Sequence, residues 1–246
     1  MSTIVLIRPG CTDYHAQSRL LGTLEMPMND LGLEQVEEAV LQLKEKGIKL
    51  QAILASPADP AFGTARAIAD AQGGVKVKEL EELRNVDQGL WQGLPEADVR
   101  KRYPKVFRTG RQTPQSICPP EGETLGDACL RIQKVLNKAI KKHDVFAIVV
   151  CDPIATVIRC TLQQRSPALN ACLCGEDHRQ AVEVFESSTF DSQAFVNAVL
   201  SSTPAATEQM EASEHATVEA VQGATSHDSV TQDAVTQAPT AQDSAQ

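Results

Sequence analysis

The sequence predicts an α/β protein, a three-layer αβα sandwich built around a mostly parallel sheet. Short apolar runs with the β-branched content of buried strands alternate along the chain with helix-like segments of about 10 to 18 residues. Those segments carry their apolar residues mainly on one side, as helices do when they cover a sheet. The 246 residues suffice for one sizeable core, so one main α/β domain is expected.

The predicted elements follow in order from the start of the chain. Residues 4–7 form a short buried strand, and a loop then runs to Asn29, whose side chain suits a helix N-cap. The next helix has apolar residues at i, i+3, i+4 and i+7 and ends at Gly47. The remaining predictions are a strand at 52–55, a helix at 61–71, a strand at 75–77, a helix at 95–103, a proline-marked surface excursion up to 120, a helix from the Thr124 cap to 143, a strand at 145–151, a helix at 154–163 and an edge strand at 181–185.

The first predicted strand stops at Arg8-Pro9-Gly10. Open α/β sheets bind their ligands beyond the carboxyl ends of the strands. Arg8 is therefore a candidate anion-binding residue. Pro9 has neither a nucleophilic atom nor a backbone N–H, so it can take no part in covalent catalysis.

Six segments resemble, in order, motifs of the histidine phosphatase (phosphoglycerate mutase-like) superfamily. In this sequence they read T-I-V-L-I-R-P-G-C-T (3–12), M-P-M-N-D-L-G (26–32), A-S-P-A-D-P-A-F-G-T-A (55–65), L-R-N-V-D-Q-G-L-W-Q-G (83–93), P-E-G-E-T (120–124) and V-V-C-D-P-I-A-T-V-I-R (149–159). The resemblance implies a phosphoglycerate mutase-like fold. Enzymes of the family hold the phosphoryl group with two His and two Arg, and an acidic residue donates the proton.

Carried over residue by residue, the resemblance leaves no catalytic set intact. The first Arg is Arg8, but the nucleophilic His is replaced by Pro9. The second Arg aligns with Pro60 and the acid with Asn85. The second His falls on Asp152, or on Ile154 when the spacing is counted back from Arg159. An aspartate there would repel a phosphate.

Four side chains are candidates for phosphate binding. Arg8 is the main one, since it ends the first strand, although it could instead pair with a buried carboxylate. His15 stands where family members often have Asn, and a solvated loop histidine is the alternative. Glu123 and Thr124 match a motif that borders the family's pocket, but helix capping by Thr124 explains them as well.

Three functions stay open at this stage. Losing a nucleophile or its base removes most of an enzyme's rate enhancement, so substitution at four positions predicts a pseudoenzyme that binds a phosphorylated metabolite or a protein partner. The first alternative is an active phosphatase or mutase with a non-standard site, for which Cys11 is a conceivable nucleophile. The second alternative is a scaffold without a ligand. The oligomeric state is not predicted.

Composition divides the chain unevenly. Residues 1–190 form the predicted histidine phosphatase-like domain, and 191–203 a helical extension. Residues 204–246 are rich in Ala, Thr, Gln and Ser and are predicted to be a disordered acidic tail. The tail holds seven acidic residues and no basic ones, so it accounts for most of the net charge of −9 and nucleic-acid binding is not expected.

The seven cysteines are an odd number without a C-x-x-C pair, and no apolar signal segment precedes the first strand. Both features predict a reduced, cytoplasmic protein. No metal site and no cofactor are expected, because His and Cys residues do not occur at ligand spacing. No apolar stretch approaches the roughly 20 residues of a membrane span, so no membrane association is expected.

Overall fold

The computed structural model describes residues 2–110, 117–163 and 181–187, all within one compact unit, Met1–Pro204. Five strands form one sheet in the order β3-β2-β4-β1-β5. Four of them run parallel, and β5 pairs antiparallel with β1 at the edge. The strands are β1 (Thr3–Ile7), β2 (Ala52–Ala55), β3 (Val77–Glu79), β4 (Val145–Val149) and β5 (Val182–Glu186).

Helices cover both faces of this sheet. The described helices are α1 (Asp13–Ala16), α2 (Asp30–Glu45), α3 (Ala61–Ala71), α4 (Glu96–Arg102), α5 (Pro104–Gly110), α6 (Leu125–Ile140) and α7 (Ile154–Leu162). Alternate residues of β1 divide between two cores: Val5 and Ile7 pack with α2 and α3, whereas Ile4 and Leu6 pack with α6 and α7. The three-layer αβα prediction is therefore confirmed.

Several element predictions need correction. The third strand lies at Val77–Glu79, two residues later than predicted. Residues 13–16 form a helix within the predicted loop, because Thr12 caps them. A helix also begins at Pro104, inside the predicted surface excursion. Proline is compatible with the first turn of a helix, where the missing N–H would have no intrahelical partner.

A small third core stabilises the segment that carries these extra helices. Trp91 is fully buried, and its ring centroid lies 5.3 Å from that of Tyr103 and 6.3 Å from that of Phe107. Leu20, Val99 and Ile117 are further buried members of the cluster. Aromatic packing of this kind holds the irregular chain between β3 and α6 against the domain. The predicted extension at 191–203 and the predicted tail at 204–246 lie outside the described residues.

Candidate functional site

The candidate site lies where β1 and β4 end. Parallel neighbours present their carboxyl ends at one edge of a sheet, so Arg8, which follows β1, and Asp152, which follows β4, come together. Both residues are 8% exposed. The antiparallel pairing of β5 places Glu183 opposite Leu6 on β1, and a third charged side chain thereby enters the site.

Arg8 is held by two carboxylates. Its Nε donates to Oδ2 of Asp152 at 3.0 Å, and its Nη1 forms an ion pair with Oε1 of Glu183. The side chains of Arg8, Asp152 and Glu183 are 7%, 3% and 13% exposed. One guanidinium faces two carboxylates, so this buried trio is net negative when all three groups are ionised.

Two further residues fix Asp152. Its Oδ1 accepts hydrogen bonds from the Thr156 backbone N–H at 3.1 Å and from the Thr156 hydroxyl at 2.6 Å. Nδ2 of Asn85 donates to the backbone carbonyl of Asp152 at 2.8 Å and to that of Gly22 at 3.0 Å. The buried Oδ1 of Asn85 has no hydrogen-bond partner among the described residues. Asn85 thus links the backbone of Asp152 to the backbone of Gly22.

A cavity of about 580 Å³ opens beside Arg8. Its volume falls in the range of roughly 300–1,000 Å³ that is usual for small-molecule sites. Side chains of both charges line it, so it is not a cationic pocket. The lining residues are Arg8, Pro9, Cys11, His15, Gln35, Glu38, Gln42, Lys46, Asp152, Ala181 and Val182.

His15 lies in this cavity as part of α1. Its ring Nδ1 accepts a hydrogen bond from the Thr12 backbone N–H at 3.2 Å and lies 3.1 Å from the Thr12 hydroxyl. The side chain is half-buried. His15 therefore closes a capping box at the start of α1 while its ring borders the same space as Arg8.

Glu123 and Thr124 are not among the described residues that line the cavity. Glu123 binds Arg131 through both carboxylate oxygens, at 3.2 and 2.6 Å, and accepts from the Asp87 backbone N–H at 3.0 Å. The Thr124 hydroxyl accepts from the Asp127 backbone N–H at 3.0 Å and caps α6. Both residues thus have structural contacts, and a structural role is the alternative to phosphate binding that the helix-capping pattern indicates.

Pro60 and Pro9, which the resemblance aligns with catalytic positions of the family, both lie within the fold. Pro60 is buried at the N-cap of α3, and Pro9 is half-buried at the cavity wall.

Burial, together with Asp152 and Asp59, raises the pKa of the Cys151 thiol to about 12. That thiol stays protonated near neutral pH and is a poor nucleophile.

Glu183 is the site residue that sequence reasoning missed. It lies in β5, which was predicted only as an edge strand, and such a strand can pair parallel or antiparallel. One signal was available: in V-E-V-F-E, Glu183 and Phe185 are two residues apart, which places them on the same sheet face. No local pattern in the sequence pairs that face with Leu6 and Arg8.

The model of the histidine phosphatase superfamily, branch 1, matches residues 4–170. This chain belongs to the histidine phosphatase superfamily. A bifunctional protein of Mycobacterium tuberculosis is 30% identical over 169 residues, which cover 68% of this chain and 46% of that protein. Phosphoserine phosphatase 1 of Hydrogenobacter thermophilus is 26% identical over 143 residues, 58% of this chain and 66% of that enzyme. The match thus spans about half of the first relative and about two-thirds of the second.

Solved structures share the histidine phosphatase fold. YhfR of Bacillus stearothermophilus superposes with a TM-score of 0.63 at 20% identity, over 76% of this chain and 91% of that chain. Mycobacterial glucosyl-3-phosphoglycerate phosphatase, in complex with VO3, gives a TM-score of 0.59 at 23% identity, over 70% of this chain and 86% of that one. At these identities the likeness concerns the fold alone.

Residues 2–110, 117–163 and 181–187 contain no group of three or more His, Cys, Asp or Glu side chains placed to hold a metal ion. In the same part of the chain, every helix is too short or too polar to cross a bilayer.

Proposed function

We propose that this chain is a non-catalytic histidine phosphatase-fold protein that acts by binding and not by phosphoryl transfer. The buried pairing of Arg8 with Asp152 and Glu183 carries the proposal. Phosphoryl transfer requires positive groups aimed at the charge that develops on the phosphoryl oxygens. The net negative trio opposes a phosphate dianion at this place.

The residues at the reacting positions point the same way. Pro9 has no nucleophilic atom, Asn85 cannot donate a carboxylic proton, and Asp152 carries a charge of the wrong sign to hold a phosphate. Groups that act as one catalytic unit lose most of their effect when a single member is removed. With several of these residues replaced together, the chain lacks the side chains that a phosphohistidine mechanism needs.

Two partner classes follow from the sequence, a phosphorylated small molecule and a protein. A phosphate group that approached Arg8 would also meet the carboxylates of Asp152 and Glu183, and any shift of the guanidinium towards the phosphate would weaken its pairing with these two buried groups. A protein partner is therefore favoured over a phosphorylated metabolite.

Hydrolysis of an aryl phosphate tests the absence of catalysis. Cys11 and His15 are nucleophilic side chains that line the cavity, so the assay includes Cys11→Ala and His15→Ala beside the wild type. We expect no phosphate release above a mock purification from any of the three. Release by the wild type that disappears in either variant would establish a working phosphatase and overturn the proposal.

Thermal unfolding with inorganic phosphate tests the ligand. We expect no rise in Tm for the wild type and a rise for Glu183→Gln, which removes one negative charge from Arg8. The matched control is Glu186→Gln, on the same strand but exposed, where Oε1 accepts from the Thr3 hydroxyl at 3.2 Å. A rise already in the wild type would favour the phosphorylated metabolite.

A further inference from the structure

A second groove lies between the edge strand β3 and helix α6. Its apolar floor is formed by Leu54, Leu80, Val135 and Ala139. Four exposed lysines stand around that floor: Lys78 comes from β3, Lys134 and Lys138 come from α6, and Lys142 follows α6. We call these residues the basic groove. It is separate from the cavity beside Arg8.

The lysines of the basic groove are not neutralised within the described domain. No described carboxylate lies within 4.0 Å of Lys78, Lys134, Lys138 or Lys142. Glu82 is the acidic member of the lining. Like charges four residues apart on a helix repel one another, so the spacing of Lys134 and Lys138 on α6 is unfavourable in the isolated domain.

Neither helix electrostatics nor composition accounts for the cluster. A helix dipole favours cations in the last turn, which explains Lys138 and Lys142. It does not explain Lys134, a turn earlier, or Lys78, which comes from a strand. The whole chain has a net charge of −9, so a local group of four lysines is not a consequence of general basicity.

The pKa of His143 is sensitive to the positive charge of the groove. Burial lowers its pKa first, and the nearby Lys142 and Lys78 lower it further, while Asp144 opposes them. Glu82 also lines the groove, and the His143 ring packs 6.1 Å from that of Phe146. A bound anion would offset the lysines and raise the pKa of His143, which supplies a direct readout of binding.

We propose that the basic groove binds an acidic peptide segment of a partner protein, with carboxylates on the lysines and one apolar side chain on the floor. Its cavity of about 230 Å³ is smaller than the roughly 300 Å³ at which small-molecule pockets begin, which favours a single anchoring side chain. Residues four apart on α6 are about 6 Å apart along the axis, a spacing that carboxylates one helical turn apart also have.

Fluorescence anisotropy with a labelled peptide of about twelve residues tests this assignment. The probe carries Glu at successive i, i+4 positions and one Leu on the same face, so that in a helical peptide the carboxylates repeat at the spacing of Lys134 and Lys138 on α6. Lys134→Glu/Lys138→Glu is compared in the full chain with Lys44→Glu/Lys49→Glu, which changes net charge equally at exposed positions outside the groove. We expect the groove variant to bind about tenfold more weakly and the control to change by less than about twofold.

Two further measurements complete the test. The pKa of His143, followed by NMR, should rise when wild-type protein is saturated with the peptide, and a peptide with Leu replaced by Ser should bind more weakly. Equal weakening in both lysine variants, or equal binding of the Ser peptide, would overturn the proposal. A third outcome would also overturn it: the wild-type protein sediments with anionic lipid vesicles, the groove variant does not, and the peptide binds neither. The groove would then be a membrane-binding surface.

Discussion

Nε of Arg8 and Oδ2 of Asp152 lie 3.0 Å apart in a buried ion pair. The resemblance to the superfamily assigns Arg8 to a phosphate-binding position and Asp152 to another, with Ile154 as the alternative to Asp152, and in this structure Arg8 and Asp152 bind each other. Glu183 adds a second carboxylate, and Asn85 ties the backbone of Asp152 to that of Gly22. The space where a phosphate would be expected is thus occupied by interactions internal to the chain.

Arg8→Ala should destabilise the protein strongly. The substitution leaves Asp152 and Glu183 without their shared cation in a buried site, and breaking a buried ion pair on one side costs about 3–5 kcal/mol. Urea unfolding of wild type and variant measures the difference.

The exposed pair of Arg84 with Glu81 is the control. Its side chains are 49% and 70% exposed and lie 2.9 Å apart, so solvent screens the attraction and Arg84→Ala should cost less than about 1 kcal/mol. If Arg8→Ala costs no more than Arg84→Ala, the Arg8 cluster does not stabilise the fold as argued.

Glu123→Ala should reduce stability without altering the site. Glu123 accepts two hydrogen bonds from Arg131 and one from the Asp87 backbone, and losing charged hydrogen bonds of this kind costs about 2 kcal/mol. Thr124→Ala, which removes only the cap of α6, should cost about 1 kcal/mol. Equal unfolding midpoints for the Glu123 variant and wild type would contradict this role.

Sequence periodicity was sufficient for most of the fold because the strands and helices each have one dominant pattern. The sequence placed Arg8 at the carboxyl end of the first strand and offered pairing with a buried carboxylate as an alternative, but it did not identify Asp152 as that carboxylate. Helix α5 is not predicted from sequence, because Pro104 is one of the prolines that indicate a surface excursion, yet it occupies the first turn of this helix. The contact between Glu183 and Arg8 depends on antiparallel pairing over a long sequence separation, and no local pattern encodes that register.

Gly32→Ala should destabilise the contact between the first turn of α2 and the segment at Cys11, which lines the cavity beside Arg8. A Cβ on Gly32 would lie 2.2 Å from the Cys11 carbonyl oxygen, and the backbone cannot move away easily because the Asn29 N–H donates to that same oxygen at 3.0 Å. The clash, at about 1–3 kcal/mol, outweighs the gain in helix propensity of about 1 kcal/mol.

Gly63→Ala is the matched control for that substitution. Gly63 also lies in the first turn of a helix, but an added Cβ would meet side-chain atoms of Asp59 and Met28 at 3.0 and 3.3 Å and no backbone. Side chains can shift, so this variant should be neutral or more stable in urea unfolding. Equal losses at both glycines would mean that backbone contact with Cys11 is not the cause.

Two buried thiols should make the protein sensitive to alkali. Burial raises the pKa of Cys129 and of Cys151 to about 12 each, whereas thiols of the unfolded chain ionise near about 8.5. The unfolded state therefore loses protons first, so the stability contributed by each thiol is complete below about pH 8.5 and falls by about 1.4 kcal/mol per pH unit above it.

Cys151→Ala should make the free energy of unfolding fall less steeply between about pH 9 and 11. Val149→Ala, which removes core volume from β4 but no ionisable group, should lower the curve without changing its slope, and parallel curves for wild type and Cys151→Ala would show that the thiol is not responsible.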